Sequence, residues 1–513
     1  MDKNFYITTP IYYPSAKPHM GHAYSSIIAD FFARFKKIDD FNVYFLTGTD
    51  EHGLKIQRAA ENKGVDTLDF CNELSQTFRN LSKTLNLTNT DFIRTTEDRH
   101  KKSVQHLWKE LEKNDDIYLS KYSGWYSVSD EAFYNEDEIE EVDGKKFAIS
   151  SKSTVEWVDE ESFFFRLSKW EKPLLDYYDK NPDFISPDSR KREVISFVKS
   201  GLKDLSISRK SFSWGIKVPN NNDHVIYVWL DALTNYISAL NYPDIKNTLF
   251  KQFWPASVHL IGKDILRFHA IYWPAFLLAA KIDLPKKIYG HGWILSNDEK
   301  MSKSKGNILD PLEIIDKYGL DPLRYYLIKE VSFGNDGNIS QERLEDCINS
   351  DLANNFGNLC QRVTAFAIKN CDGKIPEKIK LNKDDLDILN RFKNNLKEIR
   401  LRIDNQDINF YINFIVNSLF EANKYFNDQE PWKKKDDILR LNSIVYTSLE
   451  IIRKISFLLY PIIPQSSLKA LKIFDIKENN INLSSVASND FLTKGNNINK
   501  IEILFKKIEK NND

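Results

Sequence analysis

The sequence predicts an α/β protein with a parallel sheet that is split by a small antiparallel insert and followed by an all-α bundle. Three observations predict this class. Strand and helix patterns alternate over the first hundred residues, short aromatic strands replace them from about residue 117, and strand patterns vanish after Ser340. Alternating strands and helices are typical of a parallel sheet, because parallel neighbours need a crossover helix between them.

The first elements follow the order strand, helix, strand, helix. Residues 5–12 are rich in Tyr, Ile and Thr and predict a strand. Apolar residues recur three and four positions apart within residues 18–37 and predict a helix, which Pro18 would open. A second strand is predicted at residues 42–46, and further helices at residues 54–62 and 67–85.

The later elements change character twice. An antiparallel insert is predicted at residues 117–224, where short aromatic strands flank an acidic run. The alternation then resumes, with a helix at residues 265–281 and strands at residues 225–230, 257–261 and 287–295. Two long amphipathic patterns, at residues 386–403 and 438–455, predict the helical bundle.

Composition and charge exclude several classes of protein. Of the 513 residues, 42% are hydrophobic and 28% are charged, which excludes collagen-like and wholly disordered chains. No apolar run reaches the roughly 20 residues that cross a bilayer, and the N-terminus lacks a signal-peptide pattern, so we expect a cytoplasmic protein. The net charge of −1 argues against a general DNA binder but leaves a local RNA-binding surface open.

Polar residues follow four predicted strands at the points where these strands end. In an open parallel sheet, ligands bind beyond the carboxyl ends of the strands. The first strand leads to the turn His19-Met20-Gly21-His22, and the second ends at Asp50. A later strand ends at Lys263-Asp264, and the last leads through Gly292 to a lysine-rich strip at residues 300–305.

The first and the last of these four segments, the histidine turn and the lysine-rich strip, are suited to bind phosphate. His19 and His22 share the first turn of a predicted helix, where free N–H groups and the helix dipole favour an anion. The alternative is that both histidines only cap the helix. Lysines of the strip would stabilise charge that develops on a leaving pyrophosphate. The alternative there is a solvated charged turn.

These motifs together resemble the signatures of class I aminoacyl-tRNA synthetases. His19-Met20-Gly21-His22 is similar to the family's HIGH motif, and Lys300-Met301-Ser302-Lys303-Ser304 is an unaltered KMSKS motif. Residues 227–232 (YVWLDA), residues 262–265 with Phe268-His269, and residues 297–305 resemble the methionyl branch, and the likeness covers nearly the whole chain. The resemblance implies a ligase that activates L-methionine with ATP and transfers it to tRNA(Met), initiator and elongator.

The resemblance also implies a division of the chain into five parts. These are the first half of a Rossmann-like catalytic domain at 1–116, the insert at 117–224, the second catalytic half at 225–295, the lysine loop with a tRNA-stem-contact region at 296–345, and an anticodon-binding bundle with a C-terminal extension at 346–513.

Residue roles follow from the same resemblance. The catalytic residues would be His19, His22, Lys300 and Lys303. ATP with Mg²⁺ would bind at His19, Gly21, His22, Lys263, Asp264, Gly292, Lys300, Ser302, Lys303 and Ser304. Asp50 would hold the ammonium group of methionine, in a pocket completed by Ile11, Tyr13, Trp229, Ala232, Leu233, Tyr236, His269 and Trp273. Aromatic packing suits a thioether, which is soft and only a weak acceptor.

Some of these residues have plainer explanations. Trp273 lies in an apolar helical pattern and Trp229 in a predicted strand, so either would serve as ordinary core. Asp50, at a strand end, would serve as a turn residue. From the residues alone these alternatives stay open.

In the bundle, Asn358, Arg362 and Trp432 resemble the residues that read the CAU anticodon in this family. Unpaired bases stack on aromatic rings and bond to Arg and Asn side chains. The alternative for Trp432, which follows Pro431, is a hydrophobic cap that packs on its own bundle.

The sequence departs from many relatives in the insert, where they hold zinc with cysteines. Residues 126–134 contain none, and the four cysteines lie outside the insert without C-x-x-C spacing, at Cys71, Cys347, Cys360 and Cys371. We therefore expect no structural zinc and no metal held by the protein's own side chains. The appended barrel through which some relatives dimerise is absent, so we expect a monomer. Two alternatives remain: another specificity of the class (Leu, Ile, Val or Cys) and a catalytically idle tRNA-binding protein.

Overall fold

The computed structural model describes residues 3–14, 17–130, 132–296, 299–300 and 309–509. These residues form two compact units that each draw on separate stretches of the chain. The sheet unit contains residues 3–18 and Val43–His291, and the helical unit contains His19–Asn42 and the chain from Gly292 onward.

A six-stranded sheet is the framework of the sheet unit, in the order β3-β2-β1-β14-β15-β9. The pairs β2–β3, β1–β14, β14–β15 and β15–β9 are all parallel, which confirms the predicted fold class. Its strands are β1 (Asn4–Tyr12), β2 (Asn42–Thr49), β3 (Asp91–Arg94), β9 (Ile185–Ser186), β14 (Val258–Gly262) and β15 (Ile288–His291).

Antiparallel strands dominate the region of the predicted insert. β4 (Ile117–Ser127) and β8 (Glu156–Phe165) form its longest ladder, from Ile117↔Phe165 to Tyr126↔Glu156. The others are β5 (Ala132–Tyr134), β6 (Ile139–Val142), β7 (Lys145–Ala148), β10 (Leu205–Ser206), β11 (Ser208–Arg209), β12 (Lys217–Val218) and β13 (Asn221–Ile226). The region is not wholly antiparallel, because β9 joins the edge of the parallel sheet. Two residues are too few for a periodic pattern to reveal such a strand.

Nine helices accompany these strands in the described part of the sheet unit. They are α2 (Leu54–Lys63), α3 (Thr67–Thr84), α4 (Asp98–Lys113), α5 (Glu171–Lys180), α6 (Asp188–Lys199), α7 (Val228–Leu233), α8 (Asn235–Ser238), α9 (Thr248–Phe253) and α10 (Trp273–Ala279). A π-helical turn at Phe268–Tyr272 precedes α10, so the helix predicted at residues 265–281 is interrupted.

Long helices build the other unit. α1 (Met20–Ile38) is followed along the chain by α11 (Pro311–Tyr318), α12 (Leu320–Glu330), α13 (Gln341–Cys347), a π-helix (Ile348–Gly357), α14 (Asn358–Asn370), α15 (Lys383–Asp404), α16 (Ile408–Asp428), α17 (Ile438–Leu459) and α18 (Pro464–Leu471). Three short strands, β16 (Ile294–Ser296), β17 (Glu299–Lys300) and β18 (Gly337–Ile339), form a separate sheet. No described residue after β18 belongs to a strand, which confirms the all-α region.

Three predicted boundaries are wrong. Pro18 does not open α1; His19 is its N-cap and Met20 its first residue. The predicted strand at residues 225–230 ends at Ile226, and Trp229 lies on α7, since tertiary packing overrides the β-propensity of this apolar run. The predicted strand at residues 287–295 is two strands in different sheets, β15 and β16.

The break between β15 and β16 has a steric cause at Gly292. A Cβ at this position would lie 2.2 Å from the backbone of Asn335, so only glycine lets the two segments approach. The N–H of Trp293 then donates to Asp336 at 2.9 Å, and the N–H of Gly337 donates to the Trp293 carbonyl at 2.8 Å. Gly292 therefore has a structural role as a close-approach residue.

Helix α1 is fixed in its unit by a buried ionic cluster. Asp30 accepts from Arg34 at 2.8 Å and from Arg324 of α12 at 2.7 Å, and all three side chains are nearly inaccessible. Arg324 also donates to the carbonyl of Ile462 at 2.8 Å.

Within the described chain, no helix is long and apolar enough to cross a membrane.

Replacing Arg324 by Met is expected to lower the free energy of unfolding of the helical unit by about 3 kcal/mol, because it removes one of the two arginine partners of the buried Asp30 carboxylate. Urea unfolding followed by circular dichroism measures this. Arg402→Met is the matched control, because Arg402 pairs with Glu398 on the exposed surface of α15. It should cost about 0.5 kcal/mol or less. Equal losses in both variants would contradict the importance of the buried cluster.

Candidate active site

The turn that carries His19 and His22 is organised by the histidines themselves. Nδ1 of His19 accepts from the N–H of Gly21, and Nδ1 of His22 accepts from the N–H of His19, both at 3.1 Å. The two rings stack with centroids 3.8 Å apart. A Cβ on Gly21 would lie 3.0 Å from the His19 ring, so glycine leaves room for the stacked pair.

This geometry combines the two interpretations of the histidines. Both rings cap the helix through Nδ1, which assigns the proton of each neutral ring to Nε2. Desolvation and the neighbouring His19 lower the pKa of His22 well below its ordinary value. A neutral ring that accepts through Nδ1 keeps Nε2–H as a donor, and a phosphate oxygen at the N-terminus of α1 is a suitable acceptor for it.

At the carboxyl edge of the sheet unit, β14 and β15 end side by side. Gly262, the last residue of β14, is the register partner of His291, the last residue of β15. Lys263 and Asp264 follow Gly262 in a single 3₁₀ turn. A Cβ on Gly262 would lie 2.5 Å from the Asp264 carboxylate, so glycine allows the carboxylate to fold back over the strand end.

The ends of β1 and β2 bring Asp50 and Tyr13 together. The N–H of Asp50 donates to the carbonyl of Tyr12 at 2.9 Å, which ties the two strand ends to each other. The Tyr13 hydroxyl donates to the carbonyl of His52, also at 2.9 Å. Asp50 is buried, with 7% of its surface exposed, whereas Ile11 and Tyr13 are partly buried. A buried carboxylate beside a partly accessible tyrosine is suited to a ligand's ammonium group.

An aromatic cluster gathers four of the predicted methionine-pocket residues. The rings of Tyr236 and Trp273 lie 6.1 Å apart, as do those of Trp229 and His269. The hydroxyl of Tyr236 bonds to Nε2 of His269 at 2.7 Å. Trp273, Tyr236 and His269 are buried, and Trp229 is only partly buried. The cluster thus has a buried base and an accessible edge at Trp229.

The ring of His269 is held neutral. Its Nδ1–H donates to the carbonyl of Ile265 at 2.9 Å, so Nε2 is the acceptor for the Tyr236 hydroxyl. Burial lowers the pKa of His269 to about 4. At neutral pH the cluster therefore presents aromatic faces without a charge, which suits an apolar, polarizable group.

The remaining pocket residues, Ala232 and Leu233, lie on α7 and belong to the buried core. Sequence reasoning missed two features nearby. Phe268 stacks face to face on Trp229 with centroids 3.7 Å apart. Asp231 is fully buried between His52 and His100, at 2.7 Å from each. An aspartate within an apolar run was the signal for the second feature.

The lysine strip lies mainly outside the described residues. Lys300 belongs to β17, which pairs antiparallel with β16. Ser302, Lys303 and Ser304 lie outside the described residues, so their predicted roles stay predictions.

Two of the predicted anticodon residues lie on α14, and the third lies in a 3₁₀ turn at Pro431–Lys433. Arg362 of α14 donates to Asn427 at 2.5 Å and lies over the ring of Phe426. Trp432 meets the same ring edge-on, with centroids 6.1 Å apart, and 41% of its surface is exposed. Asn358 is exposed at the start of α14. Trp432 therefore packs on the bundle through Phe426 and leaves part of its surface exposed.

The depressed pKa of His269 predicts a pH dependence of stability. Between pH 6.5 and about 4 the unfolded chain binds a proton at this residue that the folded chain does not, so acidification through this range destabilises the fold. His269→Gln should reduce the loss of stability on acidification through this pH range. Urea midpoints at pH 7.5, 6.5, 5.5 and 4.5 test it, and identical slopes for both proteins would contradict a neutral, buried His269.

Comparisons with known proteins identify the family of the chain. The family model described as tRNA synthetases class I (M) matches residues 5–364. The model of the anticodon binding domain of methionyl tRNA ligase matches residues 375–513.

Relatives and solved structures match over almost the full length. A methionine--tRNA ligase of Rickettsia felis is 48% identical and covers 99% of each chain, and one of Brucella suis is 48% identical over 92% of each. The structure of Mycobacterium tuberculosis methionyl-tRNA synthetase in complex with methionyl-adenylate superposes with a TM-score of 0.96 at 44% identity and covers 98% of this chain and 99% of that one. The chain belongs to the methionyl-tRNA synthetase family of class I.

Proposed function

We propose that the chain activates L-methionine with ATP and charges tRNA(Met), initiator and elongator, by means of the residues described above. The observation that carries this proposal is the neutral aromatic cluster of Trp229, Tyr236, His269 and Trp273 in the unit that also holds the buried carboxylate of Asp50. Such a pair of features matches an amino acid with an ammonium group at one end and a thioether at the other.

Methionine binds by complementary chemistry at its two ends. Asp50 accepts from the ammonium group, which restricts ligands to amino acids. The thioether packs against the aromatic cluster, and the uncharged His269–Tyr236 pair gives neither a lysine nor a glutamate side chain a counter-charge. Ile11, Tyr13, Ala232 and Leu233 supply the remaining apolar walls.

ATP binds through groups that suit its parts. Nε2–H of His19 and of His22 donates to phosphate oxygens, and the glycine between them admits the phosphates to the helix N-terminus. In this proposal the Asp264 carboxylate accepts from the ribose hydroxyls, and Lys263 and Gly292 contribute to phosphate binding. Lys300, Ser302, Lys303 and Ser304 bind the triphosphate, and Mg²⁺ bound to ATP neutralises part of its charge.

The activation step needs no general base. The methionine carboxylate is already ionised and attacks the α-phosphorus in line, while the bond to the β-phosphate oxygen breaks and pyrophosphate leaves. Positioning and stabilisation of the charge on the pyrophosphate therefore supply the rate. A terminal ribose hydroxyl of tRNA, which the family resemblance assigns as the 2′-hydroxyl, then attacks the carbonyl of the adenylate and releases AMP.

The bundle reads the anticodon in this proposal. Unpaired bases stack on the exposed face of Trp432 and bond to Asn358 and Arg362. We further propose a cytoplasmic monomer that needs no zinc. The absence of cysteines from residues 126–134 supports the part of this proposal that concerns zinc.

Two alternatives receive less support. A leucine, isoleucine, valine or cysteine enzyme would not need a cluster of four aromatic rings around its side-chain site. A catalytically idle tRNA-binding protein would not need a complete KMSKS motif, which this sequence retains.

Amino-acid-dependent ATP–pyrophosphate exchange, measured with all twenty amino acids, tests the proposal. We expect exchange with methionine and charging of a tRNA with a CAU anticodon. Exchange with leucine, valine or cysteine instead of methionine would overturn the specificity, and no exchange with any of them would overturn the activity.

Replacing Lys303 by Ala should lower the exchange rate about 10²–10³-fold, because its charge is needed mainly while pyrophosphate leaves. Methionine affinity, measured by equilibrium binding, should change less than about twofold, since the lysine does not contact the amino acid. Lys113→Ala, at an exposed lysine of α4, is the control for loss of positive charge. A proportional loss of affinity and rate would refute the proposed role.

Replacing Trp432 by Ala should raise the KM for tRNA about 5- to 150-fold, because base stacking contributes about 1–3 kcal/mol per base. Exchange without tRNA should stay normal. Leu401→Ala removes another exposed apolar side chain of the bundle and should leave both reactions unchanged. If exchange and charging fall together in Trp432→Ala, the side chain belongs to the structural core instead.

A further inference from the structure

The Asp231 carboxylate is a fully buried hub in the sheet unit. One oxygen bonds to Nδ1 of His52 and the other to Nε2 of His100, both at 2.7 Å. The second ring nitrogen of His100 bonds to the hydroxyl of Ser238 at 2.8 Å. Asp231 and His100 have no exposed side-chain surface, and His52 has 5%.

This hub joins the two halves of the proposed methionine site. His52 follows Asp50 by two residues in the segment after β2. Asp231 follows Trp229 by two residues and precedes Ala232 and Leu233, all on α7. The bond from His52 to Asp231 therefore connects the backbone that carries the ammonium-binding carboxylate to the helix that carries the edge of the aromatic cluster.

The charge on Asp231 makes this connection specific. Burial alone would raise the pKa of this carboxyl, but the histidines outweigh burial and lower its pKa. A buried carboxylate without partners is costly, so the arrangement that satisfies both oxygens is strongly preferred over nearby ones. His100 and Ser238 fix α7 from one side, which leaves His52 as the link to the Asp50 segment.

We propose that Asp231 is a positioning residue that, through His52, sets the distance between Asp50 and the aromatic cluster and thereby selects the length of the bound amino acid. This inference rests on the proposed function. Neither Asp231 nor His52 touches methionine in this account, so both act through their neighbours.

Two substitutions of His52 test whether its bond to Asp231 positions the site. Asparagine places its amide nitrogen where Nδ1 of histidine lies, so His52→Asn keeps a donor for the Asp231 carboxylate, whereas His52→Ala removes it. We expect His52→Ala to raise the KM for methionine about tenfold, since a small misplacement of a binding group has effects of this size or larger. His52→Asn should restore most of the loss, and the KM for ATP should stay within about twofold in both.

A second pair of variants separates positioning from stability. Asp385 in the helical unit is another fully buried carboxylate, which accepts from Tyr425 and from both arms of Arg440. Asp231→Asn and Asp385→Asn make the same chemical change at equal burial. Both should lower the melting temperature, but only Asp231→Asn should raise the KM for methionine. It should also weaken discrimination against ethionine, which is one methylene longer.

The measurements are methionine- and ATP-dependent exchange on the full chain, with melting temperatures of every variant. An unchanged KM for methionine in His52→Ala, or equal increases in the KM values for methionine and ATP, would overturn the inference. So would failure of His52→Asn to restore the loss. A wild-type chain without methionine-dependent exchange would instead overturn the proposed function, so the two failures are distinguishable.

Discussion

The parallel sheet is the constraint on which the rest of the site depends. Because neighbouring strands run in the same direction, each releases its following segment at one edge, where backbone bonds then fix these segments to each other. The N–H of Asp50 reaches the carbonyl of Tyr12, and Gly262 stands in register with His291. The sheet thus brings residues from distant parts of the sequence together, and no attraction between their side chains is needed.

Charge is distributed unevenly over these residues, and this distribution decides the chemistry. Asp50 supplies a carboxylate, whereas the His269–Tyr236 pair stays neutral because burial lowers the pKa of the imidazole to about 4. The charged groups that we propose to bind ATP belong to other segments, with Lys263 and the lysine strip for the phosphates and Asp264 for the ribose. An enzyme that must bind an apolar side chain and stabilise a leaving pyrophosphate needs such a separation.

Much of this organisation could be predicted from the sequence, because periodic patterns and short motifs carry it. The predicted strand at residues 5–12 corresponds to β1, and the predicted helix at residues 18–37 corresponds to α1, although α1 begins later, at Met20. The failures have a common cause in tertiary context. Trp229 lies on a helix although its run is rich in β-formers, and Gly292 ends a strand through a close approach to Asn335 that no local pattern records. The Asp231 hub could not be predicted from a local pattern, because its partners His100 and His52 lie about 130 and 180 positions away in the sequence.

The central claim is that the carboxyl edge of this sheet binds methionine by its two ends. A crystal structure of the chain with L-methionine tests it most directly. The account predicts the ammonium nitrogen at hydrogen-bond distance from the Asp50 carboxylate and the sulfur among the rings of Trp229, Tyr236 and His269. Methionine bound with its sulfur away from these rings, or with its ammonium group paired to a different carboxylate, would contradict the account.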